Sequence, residues 1–205
     1  PMKDGWVNLA VGEPHFLQRH LGYCRALMPH RGQEAYPDHA GSPDLLRTLR
    51  VRNPGKHVVI TNGAKQALLA AMYAVDAGFV VHAKPHWPSY PTLVKLAGQS
   101  WGTWDSPFST LRCVSSPNNP DGRQWNGEPC DVWDAAYAHS VYGWNKVIPD
   151  HRISVWSAAK LFGLSGERIG WALTEDEEIA SRMADYVEKT TSGVNVHAQA
   201  RLARI

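Results

Sequence analysis

Residues 157–173 read Ser-Ala-Ala-Lys-Leu-Phe-Gly-Leu-Ser-Gly-Glu-Arg-Ile-Gly-Trp-Ala-Leu, directly after the apolar run Ile153-Ser154-Val155-Trp156. Short β-branched and aromatic runs bounded by turn residues read as strands, so strands are expected at 153–156 and 169–173. Between them Gly163 and Gly166 punctuate a turn. Most lysines are solvated surface charges, but Lys160 follows two alanines at the exit of an apolar strand. Ser157 precedes it by three positions and Arg168 follows it by eight. A hydroxyl, an amine and a guanidinium at one strand exit are a candidate site.

Outward from this stretch the same alternation continues. Further strands are expected at 57–61, 79–83, 101–104, 111–115 and 131–133, and helices at 43–50, 64–75, 89–97 and 175–189. Ala and Leu dominate 64–75, while Ile179, Met183 and Val187 fall at helical spacing. Ser42 is the expected cap of the helix at 43–50. Strands alternating with helices predict an α/β fold in which a three-layer arrangement buries a mostly parallel seven-stranded sheet. The segment 105–143 is dense in Pro, Asn and Gly and should hold tighter connections than usual. Residues 1–35, rich in Gly, Pro and His, read as an extended N-terminal arm, leaving 36–205 as one domain.

Composition narrows the function class. The chain has 205 residues, 43% hydrophobic and 20% charged, as in ordinary globular proteins. A formal net charge of +2, with scattered Lys and Arg, gives no footprint for nucleic acid. No apolar run approaches a membrane span of about 20 residues. Three irregularly spaced cysteines, Cys24, Cys113 and Cys130, suit reduced thiols and a cytoplasmic setting better than a disulfide framework. His82 and His86 are four apart, but Pro85 lies between them and no second cluster completes a metal site.

In open α/β sheets ligands bind beyond the carboxyl ends of the strands. After the first expected strand comes Asn62-Gly63-Ala64-Lys65, opening a helix. Its backbone N–H groups and helix dipole suit a phosphate, and a plain glycine turn fits the same letters. After the second comes Pro85-His86-Trp87-Pro88-Ser89-Tyr90. Trp87 can offer its face to a flat heteroaromatic ring or pack in the core. After the fourth comes Ser115-Ser116-Pro117-Asn118-Asn119-Pro120-Asp121-Gly122, and after the fifth come Asp134 and Tyr137. A carboxylate facing a pyridine nitrogen keeps it protonated. Ser157 and Lys160 follow the sixth. A serine–lysine hydrolase also uses S-x-x-K, but it has no use for Asp134 or Asn119, and no K-T-G-type element appears.

Taken in order, SSPNNPDG, the Asp134/Tyr137 spacing, SAAK and SGERIGWAL resemble the pyridoxal 5′-phosphate (PLP)-dependent aminotransferase superfamily of fold type I. VNLAVGEPHF, YPDHAGSPDLL and PHWPSYPTLVKLAG add to the likeness, which spans nearly the whole chain. The wording is most similar to the branch holding alliinases and plant tryptophan aminotransferases. The resemblance implies that Lys160 is the Schiff-base lysine and the proton-transfer base. It places Asp134 on the pyridine nitrogen, Asn119 and Tyr137 on the ring oxygen, and Trp87 on the ring face. Gly63, Ala64, Lys65, Ser157 and Arg168 would hold the phosphate. Tyr36 matches a tyrosine that reaches the neighbouring subunit's phosphate, implying a homodimer with shared sites, and Gly12 would line the substrate pocket.

Two departures stand out. Lys65 occupies a position where a Ser or Thr hydroxyl usually contacts phosphate. No counterpart appears of the C-terminal small domain that supplies an arginine for the substrate carboxylate: either that domain was removed or lost, or the carboxylate is bound otherwise, with Arg31, Arg201 and Arg204 as candidates that no motif position supports. The expected activity is an aminotransferase acting on amino-acid and keto-acid substrates, with no nucleic-acid or membrane partner. A carbon–sulfur lyase and a non-catalytic PLP-binding homologue are the alternatives.

Overall fold

The structure, a computed structural model, describes residues 36–102, 104, 110–138 and 148–205. The expected arm at 1–35 therefore lies outside the described residues, as do Cys24, Gly12 and Arg31. The elements run α1 (Pro43–Arg52), β1 (His57–Thr61), α2 (Ala64–Val75), β2 (Phe79–His82), α3 (Tyr90–Leu96), β3 (Ser100–Gly102), β4 (Thr110–Ser115) and β5 (Cys130–Asp134). They continue with β6 (His151–Ser157), α4 (Ala158–Leu161), a 3₁₀ turn at Ser165–Glu167, β7 (Gly170–Thr174), α5 (Glu177–Thr191) and α6 (Val196–Leu202).

All seven expected strands form one sheet, in the order β1-β7-β6-β5-β4-β2-β3. Pairing is parallel from β3 through β2, β4 and β5 to β6. β7 alone runs against its neighbours, antiparallel to both β1 and β6. The sheet is thus mixed but mostly parallel, and β1, β2, β4, β5 and β6 all point their carboxyl ends to one edge.

Period-2 alternation along the strands divides the core. Cys113 and Val132 join the larger cluster with Leu68, Met72 and Met183 from α2 and α5. The neighbouring Val114 and Trp133 join a smaller one with Trp104, Trp125 and Trp156 packed against it. Cys113 and Cys130 are buried free thiols.

Element ends shift from the expected ones where a cap decides them. α5 begins at Glu177 rather than 175 because the Asp176 carboxylate accepts from the Ile179 N–H at 3.1 Å. Ser42 caps α1, accepting from Leu45 N–H. The third strand starts one residue earlier and ends at Gly102, and β5 extends through Asp134. α6 has no long apolar period to announce it. Asn195 caps it, and the fully buried Gln199 pins it by accepting from Ser42 N–H and donating to Val194 C=O. Among the described residues no helix is long and apolar enough to cross a membrane.

Candidate active site

A cavity of about 300 Å³ opens at the edge where the carboxyl ends of β1, β4, β5 and β6 meet. Its anion end is built by the exits of β1 and β6. Gly63 takes φ +79°, a conformation that L side chains rarely adopt, and turns the chain into α2. The first turn of α2 carries no acidic residue, so nothing competes with an anion for its N–H groups. Ser157 ends β6 and enters α4 with its hydroxyl unused as a cap. Arg168 is left-handed (φ 52°), and Nη1 donates to Ser165 C=O at 3.0 Å. That turn swings its guanidinium back over Gly63. The Lys65 ammonium sits 5.1 Å from the Trp87 ring centroid, so this position offers backbone to the anion end and its charge to the tryptophan.

The other end is deeper and aromatic. Asp134 is buried at the tip of β5, where Oδ2 accepts from the Tyr90 hydroxyl at 2.6 Å and Oδ1 from Ala136 N–H at 3.1 Å. Its pKa is raised, because burial outweighs the two donors that lower it. Burial and then the Asp134 charge raise the pKa of Tyr137, while a hydrogen bond with Asn119 opposes them. The ammonium of Lys160 lies 5.6 Å from the Tyr137 ring centroid. Of the adjacent asparagines, Asn118 braces the loop by donating to Pro85 C=O and Asp121. Asn119 is the one that faces the cavity.

Ala64, Lys65, Trp87, Asn119, Asp134, Tyr137, Ser157, Lys160 and Arg168 all line this one space, whereas Gly63 is not among its lining residues and lies against the Arg168 guanidinium. Tyr36 does not; it stands 87% exposed on the surface. Arg201 is ion-paired with Glu167, and neither it nor Arg204 reaches the cavity. His82 and His86 have ring centroids 6.3 Å apart, and no group of three metal-ligating side chains occurs among the described residues. Ser115, Ala136 and Ser165 line the cavity without having been singled out. Ser115 pairs with Asp134 across the β4–β5 ladder, a relation that only register reveals.

Comparison with known proteins identifies the family and the fold. Tryptophan aminotransferase-related protein 2 of Arabidopsis thaliana is 32% identical over 73% of this chain and 38% of its own length. Alliin lyase 1 of Allium sativum is 28% identical over 64% of this chain and 30% of its own. The chain thus spans about a third of these curated relatives. Aspartate aminotransferase from Thermus thermophilus, solved with maleate, shares the fold at a TM-score of 0.74 and 25% identity, over 93% of this chain and 61% of that one. The family model described as allinase matches residues 51–205, three-quarters of the sequence, and the chain belongs to that family.

Proposed function

We propose that this chain binds PLP through Lys160 and acts on an amino acid, as an aminotransferase. The observation that carries the reading is the buried carboxylate of Asp134 in the same cavity as the Lys160 amine. The donor set suits each part of PLP: an indole face for the ring, a carboxylate for its nitrogen, and Asn119 and Tyr137 for its hydroxyl. Lys160 would take the aldehyde, and the N-terminus of α2 with Ser157 and Arg168 the phosphate. A volume of about 300 Å³ accommodates a ligand of that size.

Bound there, PLP would accept the electron pair left when a substrate Cα loses its proton. The chain's residues do the rest. Lys160 Nζ would be the base that takes up and returns the substrate's Cα proton. Asp134 would hold the proton on the ring nitrogen, and Trp87 would fix the ring plane. Tyr36 is exposed, and in a two-fold pair its phenol would reach the phosphate of the neighbouring copy. Sedimentation of a fully active monomer would defeat that pairing.

The experiment that tests the function is absorbance of the PLP-loaded protein with a panel of amino acids. Borohydride should fix the cofactor on Lys160, read by peptide mapping. One amino acid should then convert the spectrum to the pyridoxamine form. The similarity to alliin lyase supports a second reading, a carbon–sulfur lyase, which would release pyruvate and ammonia instead. No change with any amino acid would leave a cofactor-binding protein without turnover.

A further inference from the structure

Tyr90 is the first residue of α3 and one of the most deeply buried side chains of the molecule, 1% exposed. Its ring is gripped on two sides. Its ring stacks on His82 with centroids 3.8 Å apart and planes at 12°, and His82 stacks in turn on Trp101 at 5.1 Å. Trp87 meets it edge-on at 5.4 Å. Clamped this way, its hydroxyl has one strong acceptor, Asp134 Oδ2, at 2.6 Å.

Most of the groups around that bond favour a neutral phenol as the donor, with a Ser115 hydrogen bond opposing them, while burial works against the carboxylate charge that the phenol's bond supports. Burial, and then the Asp134 charge, push the Tyr90 pKa well up, so it keeps its proton. Burial and then His86 lower His82 to about 3, so the stacked imidazole is neutral. The thiol of Cys113, fully buried nearby, is likewise held protonated, by burial first. No cation among these neighbours stabilises Asp134. Its charge rests on two hydrogen-bond donors, Tyr90 Oη and Ala136 N–H.

We infer that Tyr90 is a positioning residue for the ring nitrogen of the bound cofactor, keeping Asp134 ionised so that the shared proton stays on nitrogen. The inference rests on the PLP reading above. In a water-poor cavity a nitrogen–carboxylate pair can hold its proton on either side. Donors to the carboxylate lower its proton affinity and favour the charged pair, N–H⁺ against O⁻. With the Tyr90 bond removed, the proton moves toward Asp134 and the ring becomes a neutral pyridine, a weaker acceptor of electrons.

Two readouts test this. In the PLP-loaded chain carrying ¹⁵N at the ring nitrogen, wild type should give a pyridinium-like shift and Tyr90→Phe a shift toward neutral pyridine. The dissociation constant of PLP should rise roughly ten-fold for one lost charge-assisted bond. In the cofactor-free chain, ¹³C titration of the Asp134 carboxyl should move upward in Tyr90→Phe. An unchanged Asp134 titration overturns the inference, whether or not PLP binds. If wild type takes up no PLP while the titration still moves, the cofactor assignment fails and the control of Asp134 by Tyr90 stands. Should Tyr90→Phe fail to fold, 3-fluorotyrosine at position 90 keeps the clamped ring and donates more strongly. It should move the Asp134 titration and the ring ¹⁵N shift in the opposite directions to the phenylalanine variant, and no movement overturns the inference.

Discussion

The guanidinium of Arg168 lies against Gly63 so closely that a Cβ at position 63 would come within 2.8 Å of Nη2. The obstacle is the far end of a flexible side chain and can retreat. Gly63→Ala should therefore lose about 1–3 kcal/mol of stability from its positive φ alone. The displaced Arg168 should cost phosphate affinity as well. Denaturant melts and titration with PLP separate the two losses; equal PLP affinity in Gly63→Ala would show that Arg168 does not touch the phosphate.

Lys160→Ala should keep the fold, because α4 is a four-residue turn whose buried members are Ala158 and Ala159. It should lose the absorbance of lysine-bound PLP and all turnover. Lys160→Arg keeps a cation but cannot condense with an aldehyde, and should be equally dead. Full activity in the arginine variant would refute a covalent role.

Asp134→Asn should still take up PLP and lose rate by orders of magnitude, since a neutral amide cannot hold the pyridine nitrogen protonated. The amide is close in shape to the carboxylate, and Ala136 N–H can still donate to its oxygen. Circular dichroism should be unchanged while single-turnover rates collapse. Wild-type rates would reduce Asp134 to a strand-end residue.

Acid should weaken the cofactor-free protein partly through His82. Folded, the imidazole titrates at about 3, whereas the unfolded chain binds that proton at 6.5. The unfolded state therefore carries the extra proton between these values, and stability falls as pH drops through that window. At pH 5 the loss is about 2 kcal/mol. Asp134, its pKa raised by burial, acts in the opposite sense at the acid end. His82→Phe, which can keep the stack between Tyr90 and Trp101, should flatten the slope between pH 6.5 and 5 in urea melts. An identical slope would refute the buried neutral histidine.

Much of this was legible in the sequence because parallel strands announce themselves as short apolar runs with function at their exits. Asn119, Asp134, Tyr137, Ser157 and Lys160 each follow or end such a run, and the structure gathers them. Ser115 and Tyr90 were missed for different reasons. Ser115 matters through its register with Asp134, which pattern does not encode. Tyr90 reads as an ordinary residue near a helix start, and only the tertiary fold brings its hydroxyl to Asp134 at the tip of β5. α6 was missed because its hold is tertiary, through Gln199, rather than periodic.

The lone antiparallel strand has a mechanical consequence. Gly170 pairs with Thr61 on one side and with Ser157 on the other. A Cβ there would strike the Trp156 carbonyl at 2.6 Å and the Ala64 nitrogen at 2.8 Å. The turn into α2 and the end of β6 are thus riveted through one residue that has no room to give. No hinge can pass between them without breaking two ladders at once. An anionic group bound at that turn would therefore sit on a fixed pivot. Any freedom for such a ligand to tilt would come from the opposite wall, where Trp87 and Asn119 hang from loops rather than from the sheet.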